Sequence, residues 1–440
     1  METKLRAGAG RAVMGFTPEM FPNFRENYTH VHDESYCQVL LLEAGESVAF
    51  VACGTVIVTV ATEMKERVAA VLGIPAERVV VHAKHVLSMP HSGHPGAEDF
   101  IQRAANMGKT ISAEEAKGYA LRENAMTEAM MVAAEKAARA AKETLQPVTM
   151  GFGLGYSEVN VNRVVHTDKG WWQGHNPDGI TDRTVPVLRF NGENGKPLAI
   201  LFNCNTAPGV LENSVLSDGS RAASGDMAAA AERWLDERYP GCVSIYTTGA
   251  TGDQWQSLRA LFDTLDAKGH QTVTDLHEQG FVLAEMLGQR LAEQVMKTAE
   301  SMETKPFDGC LTFQSALFTY PGQKVSAHES AGATTDCEFI PDGQRSTGIH
   351  ILSLGDIAMV CCGVEIGVRT YAKIKEGSPY ANTFVVEFAN QSAKGGGYMV
   401  ERDLYEKMTY QSRKSVFAAG AAERLAEDVV EALRRAYEKA

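Results

Sequence analysis

The sequence predicts a mixed α/β fold in which β-sheets are flanked by helices, within a single large domain that spans residues 1–440. Two observations carry this prediction. Short apolar runs typical of buried strands, such as Val79–Val81, alternate along the chain with segments of helical periodicity, such as Ala61–Leu72. No fixed-period repeat, low-complexity tail or linker divides the 440 residues, a length that suffices for one large α/β domain.

The first elements form a predicted strand–helix–strand unit. Residues Leu40–Leu42 and Val48–Val60 are expected to form a strand pair joined by a tight turn. The helix Ala61–Leu72 should end at Gly73, because glycine accepts the left-handed backbone that commonly closes a helix. The buried strand Val79–Val81 follows and completes the unit.

The middle of the chain contains three patterns of different kinds. Ser112 and Glu115 have the spacing of a capping box and predict the start of a long helix. The glycine-rich residues 151–155 resemble a nucleotide-binding loop, but residues 158–162 alternate like a strand. Because that loop must open a helix, we reject nucleotide binding. Residues 164–184 are expected to form a long loop.

The second half is predicted to contain two hairpins and further helices. The hairpins pair Val185–Phe190 with Leu198–Cys204, across an Asn/Gly turn, and Ile349–Leu354 with Ile357–Cys362. The helices are expected over residues 226–238, from Thr272 onward, from Glu365 to Lys375, and around Leu425–Leu433.

The composition is that of a soluble globular protein, with 44% hydrophobic and 22% charged residues. The net charge of −13 argues against nucleic acid and anionic membranes as partners, since both attract basic surfaces. No apolar run is long enough to insert into a membrane. The eight cysteines are scattered and do not form a secreted disulfide pattern. We therefore expect a cytoplasmic enzyme that acts on a small-molecule substrate. The sequence is compatible with a homo-oligomer as well as with a monomer.

Chemically active side chains follow the predicted strands, at positions where open α/β sheets usually bind ligands. They are His85, Asn205, Asp253, Glu365 and Tyr398. Four histidines, His82, His85, His91 and His94, also fall within thirteen residues. They could bind a metal, because neutral imidazole is the commonest metal ligand, or they could be solvent-facing loop residues.

These positions, in this order, resemble the catalytic domain of the neutral/alkaline non-lysosomal ceramidase family. The segment from His85 to Pro90 resembles the family's His-Thr-His-Ser-Gly-Pro motif, and Asn162-Arg163 resembles its next block. Glu365 falls on a Gly-Glu motif, and Tyr398 and Tyr410, twelve residues apart, match a pair of functional tyrosines. The resemblance covers nearly the whole chain.

The resemblance implies hydrolysis of an amide at a zinc ion held by two histidines, a glutamate and a tyrosine. His85, Glu365 and Tyr398 correspond to three of these metal ligands. Asn205 stands where the second histidine is expected, and an amide oxygen is a weaker ligand than imidazole. The family's nucleophilic serine is also missing, since Trp255 occupies that position.

The sequence therefore predicts a metal-dependent hydrolase, with zinc as the expected divalent metal, that cleaves an amide C–N bond of a small polar substrate. A metal-activated water would be the nucleophile. Arg163 would bind a substrate carboxylate or an oxyanion, and Asp253 and Tyr410 would transfer or orient protons. Arg163 and Asp253 are equally compatible with a structural ion pair. The alternatives are a true ceramidase acting on lipid, a metal-assisted lyase or isomerase, and a metal-free binding protein.

Overall fold

The computed structural model describes residues 4–265, 271–307, 309–326, 332–391 and 396–439. Within these ranges the chain forms several mixed β-sheets flanked by helices, which confirms the predicted fold class. The helices are α1 (Ala61–Leu72), α2 (Ala97–Asn106), α3 (Ala113–Glu143), α4 (Asp226–Arg238), α5 (Gln279–Ser301), α6 (Val368–Gly377), α7 (Arg402–Glu406), α8 (Tyr410–Lys414) and α9 (Ala421–Tyr437).

The strands vary from two to sixteen residues in length. They are β1 (Arg6–Val13), β2 (Tyr28–Val31), β3 (Tyr36–Ala44), β4 (Glu46–Cys53), β5 (Val79–Ala83), β6 (Gln146–Pro147), β7 (Thr149–Tyr156), β8 (Asn160–Thr167), β9 (Gly170–Asn176), β10 (Thr184–Asn191), β11 (Pro197–Cys204), β12 (Arg221–Ala223), β13 (Val243–Thr248), β14 (Gln254–Gln256), β15 (Leu261–Leu265), β16 (Gln271–Asp275), β17 (Lys305–Pro306), β18 (Leu311–Val325), β19 (Phe339–Leu354), β20 (Ile357–Cys362), β21 (Glu365–Ile366), β22 (Asn382–Val386) and β23 (Tyr398–Met399).

Three larger sheets organise the fold. Their strand orders are β5-β4-β3-β1-β6, β13-β11-β10-β7-β17 and β18-β19-β20-β22. Each contains one parallel pair at or near its edge, namely β4 with β5, β11 with β13, and β20 with β22. The loops that leave the carboxyl ends of these parallel strands are therefore available to form a shared site.

The core follows from the two-residue period of the strands. In β3, Leu40 and Leu42 pack in one cluster with Phe190 of the second sheet, whereas Val39 and Leu41 face a different cluster. That second cluster contains buried residues of α1 and α3, and the far face of the second sheet is covered by α4 and α5. The two sheets thus pack face to face between outer layers of helices. None of the helices in the described ranges has the length and apolar character needed to span a bilayer.

Backbone hydrogen bonds tie together the loops that follow the strands. The amide of Leu87, in the loop after β5, donates to the carbonyl oxygen of Pro208 in the loop after β11 (2.7 Å). The amide of Gly252, after β13, donates to Ile366 O in β21 (2.7 Å). These contacts bring segments from all three larger sheets to one end of the molecule.

Several local predictions were wrong. The strand expected over Val48–Val60 ends at Cys53, and the helix expected from Glu365 begins at Val368. Residues 164–184 do not form a long loop, because β8 and β9 pair as a hairpin that turns at Gly170, with a left-handed φ of +119°. The helix expected from Thr272 instead begins at Gln279. Asp275, which has capping-box spacing to Thr272, accepts hydrogen bonds from Ser214 and Val215, so its carboxylate supports a tertiary contact and does not begin a helix.

Candidate active site

A cavity of about 550 Å³ lies where these loops meet. Its wall includes six of the residues singled out in the sequence, namely His85, His91, Arg163, Glu365, Tyr398 and Tyr410. Small-molecule sites typically have volumes of roughly 300–1,000 Å³. The cavity therefore has the size of a site for a small substrate.

His85 follows β5 directly and is held firmly in the cavity wall. Its backbone has a left-handed φ of +58°, and its ring stacks on Phe388 with 3.8 Å between the ring centroids. Nδ1 lies 2.8 Å from the carbonyl oxygen of Val56, which can only accept, so Nδ1 carries the proton and donates. Burial lowers the pKa of His85 to about 3, so the ring is neutral and Nε2 has a lone pair.

Arg163, Glu365 and Tyr398 form a hydrogen-bonded group, the Arg163 cluster, in which Arg163 and Glu365 are buried and Tyr398 is partly buried. One terminal nitrogen of Arg163 donates to Glu365 Oε1 (2.9 Å) and to the Tyr398 hydroxyl (3.1 Å). The same nitrogen contacts the carbonyl oxygens of Thr251 and Gly252, in the loop after β13. The side chains of Arg163 and Glu365 are only 6% and 5% exposed, so each neutralises the other in the interior.

Electrostatics within the Arg163 cluster follow from burial and from this pairing. Burial raises the pKa of Glu365, and the Arg163 guanidinium opposes that shift. Burial likewise raises the pKa of Tyr398 far above its ordinary value, so the hydroxyl is protonated and can donate. The arrangement presents a fixed guanidinium and a phenol to the cavity, which suits binding of a developing negative charge.

Tyr410 lies at the start of α8 and lines the cavity beside the cluster. Its ring packs edge-on against Tyr398, with 5.9 Å between centroids, and against Trp172. Trp172 thus supports Tyr410 from behind. A role for Tyr410 in proton transfer stays a prediction.

Asn205 and Asp253 do not lie among the described residues of the cavity wall. The Asn205 side chain is buried; its oxygen accepts from the amide of Ala250 (2.9 Å) and its nitrogen donates to the carbonyl of Asp182 (3.2 Å). A Cβ placed on Gly249 would lie 2.2 Å from that oxygen, which shows how tightly the loop after β13 encloses it.

Asp253 supports the start of α6. Its carboxylate accepts from the amide of Val368, the first residue of the helix (3.0 Å), and from the side chains of Gln254 and Asn162. Burial, followed by the charge of Glu401, raises the pKa of Asp253 to about 6. These contacts are those of a structural carboxylate, and a catalytic role for it stays a prediction.

The predicted metal ligands fit a metal ion poorly. Both polar groups of Asn205 are engaged elsewhere, and Glu365 and Tyr398 already bind the guanidinium of Arg163, whose charge would repel a nearby cation. Across the described part of the chain, no three His, Cys, Asp or Glu side chains form a group that could hold a metal ion. Zinc binding at His85, Asn205, Glu365 and Tyr398 stays a prediction.

Sequence reasoning named His91 as a possible metal ligand but did not assign Glu26 or Arg221, two charged residues of the cavity wall, to the site. Glu26 lies 2.5 Å from His91 Nδ1 through its Oε1, and we call these two residues the His91 pair. Arg221 donates to the backbone oxygen of Glu26 (2.9 Å) and lies over the ring of Tyr28. No local pattern could have found the pair, because Glu26 and His91 are 65 positions apart.

The other two histidines of the cluster seen in the sequence have different surroundings. His82 is buried, and its ring nitrogens contact the carbonyl of Glu387 and the amide of Thr248. His94 is partly exposed, between Asn124 and Glu63. Only His85 and His91 of the four line the cavity in the described residues.

The cavity wall offers few nucleophilic side chains. Among its described residues the one serine, threonine or cysteine is Thr59, whose hydroxyl donates to the carbonyl of Ser92 (2.7 Å). Cys204 is buried away from the wall, and burial raises the pKa of its thiol to about 12, so the thiolate is not formed near neutral pH.

Comparison with known proteins shows the fold. No protein-family profile and no curated protein sequence matches the chain. The chain is similar to the crystal structure of neutral ceramidase from Pseudomonas aeruginosa, with a TM-score of 0.70 and 15% identity over 99% of this chain and 75% of that one. A ceramidase complexed with C2 gives a TM-score of 0.69 and 15% identity, over 99% and 76% of the two chains. The chain therefore has a neutral ceramidase-like fold.

Proposed function

We propose that this protein is a hydrolase that cleaves an amide C–N bond of a small, polar, anionic substrate, with water as the nucleophile. The observation that carries the proposal is the Arg163 cluster, which aligns a guanidinium and a phenol on the wall of a closed-in cavity. The neutral ceramidase-like fold supports amide hydrolysis as the reaction class.

The substrate class follows from the size and charge of the cavity. Its carboxylates are already paired within the protein: Glu365 with Arg163, Glu26 with His91, and Glu212 with Arg259. Arg221 has a backbone partner, and its buried Nε has no hydrogen-bond partner among the described residues. A carboxylate on the substrate would match this guanidinium, since guanidinium groups bind carboxylates through two parallel hydrogen bonds.

The Arg163 cluster would stabilise the transition state. Attack of water on an amide carbonyl places negative charge on the carbonyl oxygen, and donors fixed in advance at that point lower the barrier. The second terminal nitrogen of Arg163 makes only a long hydrogen bond to Gln173 (3.3 Å), which a substrate oxygen could replace without movement of the guanidinium. The hydroxyl of Tyr398 is the second candidate donor.

Water is the proposed nucleophile because of the composition of the cavity wall. The hydroxyl of Thr59 is engaged with Ser92, and Cys204 is a neutral buried thiol. A covalent acyl-enzyme needs a serine, threonine or cysteine beside a base at the reacting carbon. Since the described part of the cavity wall offers no such group, we infer that hydrolysis occurs in a single addition–elimination sequence.

A divalent metal, the cofactor expected from the sequence, would supply Lewis-acid polarisation of the carbonyl if His85, Glu365 and Tyr398 held it. The proposed hydrolysis does not depend on a metal, because Asn205 and Arg163 make contacts that leave little room for such an ion. The cytoplasmic location and the oligomeric state also stay predictions.

The test is an amine-release assay with purified full-length protein. The substrates are a series of N-acetyl amino acids, their neutral carboxamides, and long-chain ceramide in detergent. We expect turnover of the carboxylate-bearing amides and no useful turnover of ceramide. Absence of amine release from every small amide, or release from ceramide alone, would refute the proposal.

A further inference from the structure

The His91 pair is a histidine–carboxylate arrangement inside the cavity that the proposed mechanism has not used. Glu26 Oε1 lies 2.5 Å from His91 Nδ1, and both residues line the same cavity as Arg163 and Tyr398. The side chains are 10% and 22% exposed, so the pair is shielded but still reached from the cavity. His91 lies in the loop after β5, six positions beyond His85.

Glu26 is held in place from several sides. The side-chain amide of Asn23, itself buried, donates to Oε2 of Glu26, and Arg221 donates to the backbone oxygen of Glu26. Burial acts to raise the pKa of Glu26, but the hydrogen bond and charge of His91, together with Arg25 and Asn23, outweigh it, and the pKa is lowered. The carboxylate is therefore ionised near neutral pH.

An ionised carboxylate accepts hydrogen bonds and cannot donate them. The proton between the two residues consequently belongs to Nδ1 of His91. In a neutral ring this leaves a lone pair on Nε2, and no partner for Nε2 occurs within the ranges that the structure describes. The same relation between a carboxylate and an imidazole fixes the tautomer of catalytic histidines in general.

Other bases in the cavity are less suited to accept a proton from water. Burial lowers the pKa of His85 to about 3, and the charges of His91 and Arg163 act in the same direction. Glu365 is paired with Arg163, and Glu212 is paired with Arg259 at 2.8 Å.

We propose that His91 is the general base of the hydrolysis and that Glu26 is its positioning residue. Nε2 of His91 takes one proton as the water oxygen bonds to the carbonyl carbon. The same proton then passes to the amide nitrogen as the C–N bond breaks, which gives the free amine and the carboxylic acid. Atoms and charge balance with water as the co-reactant. The inference rests on the proposed amide hydrolysis and names its proton acceptor.

The kinetic test compares His91→Ala with His94→Ala, a control in the same loop that lies outside the cavity. Loss of a general base typically lowers the rate by about 10²–10⁴-fold, so we expect kcat of His91→Ala to fall at least about 100-fold. Added imidazole should raise the kcat of His91→Ala at least about tenfold, because it can supply the missing ring. The control should stay within about twofold of wild type and should not respond to imidazole.

Glu26→Gln tests the positioning role. It keeps the shape and a neutral acceptor, so the fold should persist while kcat falls at least about tenfold with KM little changed. A structural role alone would not separate kcat from KM in this way. A His91→Ala variant that keeps more than a third of wild-type kcat, or one that is inactive but not rescued by imidazole, would overturn the proposal.

A measurement without substrate separates this inference from the proposed function. Nitrogen-15 NMR of the histidine rings, recorded at pH 8.5, about two units above the ordinary histidine pKa, reports which ring nitrogen carries the proton. We expect His91 to be protonated at Nδ1 in wild type and to lose that preference in Glu26→Leu. If no amide is hydrolysed, the proposed function fails. The NMR measurement needs no substrate, so it still shows whether Glu26 fixes the protonated nitrogen of His91. A proton on Nε2 of wild-type His91 would overturn it.

Discussion

Two groups of ionisable side chains line the same cavity, and they differ in what their polar atoms contact. In the Arg163 cluster a single guanidinium nitrogen contacts a buried carboxylate, two backbone oxygens and the partly buried phenol of Tyr398. In the His91 pair one ring nitrogen contacts Glu26, and the other has no partner among the residues that the structure describes. The polar atoms of the first group are used within the protein, whereas the second group is a histidine–carboxylate pair whose carboxylate is held by Asn23 and His91.

The difference shows what burial requires of charged groups. A buried charge is costly unless it is paired and hydrogen-bonded, so the cluster must satisfy itself internally. The Arg163 cluster can stabilise negative charge on a substrate only through N–H and O–H donors that are not already used within the protein. A partly exposed pair such as Glu26 and His91 has access to water and substrate, so it can exchange a proton during turnover.

The largest expected effect comes from breaking the buried ion pair of the Arg163 cluster. Arg163→Met would leave the Glu365 carboxylate buried without its partner, so we expect the free energy of unfolding to fall by about 3–5 kcal/mol. Urea denaturation would measure the change. The matched control is Arg6→Met, which removes an exposed ion pair with Glu43 and should cost about 0–1 kcal/mol. Equal losses in the two variants would show that the cluster is not a structural frame.

The second-largest effect is expected on kcat, in a variant that keeps the ion pair between Arg163 and Glu365. Tyr398→Phe removes the hydroxyl of a residue that lines the cavity and keeps the ring, so kcat should fall about 100-fold, the typical cost of an oxyanion-hole donor. The amine-release assay measures it, and Tyr437→Phe, at a tyrosine that is 51% exposed, serves as the control. Activity of Tyr398→Phe close to that of the control would assign the oxyanion to another group.

Metal removal should have little effect. Because Asn205 is engaged with Ala250 and Asp182, and Arg163 occupies the polar atoms of Glu365 and Tyr398, we expect dialysis against a chelator to leave activity within about twofold. Elemental analysis of the same samples gives the metal content directly. Loss of activity that added zinc restores, together with about one metal ion per chain, would show that hydrolysis depends on a bound metal.

The sequence predicted the fold class because the strand and helix periods are clear in segments such as Val79–Val81 and Ala61–Leu72. It also placed Arg163, Glu365 and Tyr398 together, through a family resemblance that the fold comparison supports. It could not find the His91 pair, since nothing local connects His91 to a carboxylate 65 positions away. The prediction that a helix begins at Thr272 was wrong for a similar reason, because Asp275 accepts hydrogen bonds from residues distant in sequence.

The central claim is that this cavity hydrolyses anionic amides, and its most direct test uses one pair of substrates and one variant. N-acetyl-L-methionine and N-acetyl-L-methioninamide differ only in the charge of one group. We predict that wild type prefers the acid by at least about tenfold in kcat/KM, about 1.4 kcal/mol, and that Arg221→Gln removes this preference. Equal kcat/KM for the two substrates in wild type, or a preference that survives in Arg221→Gln, would contradict the account.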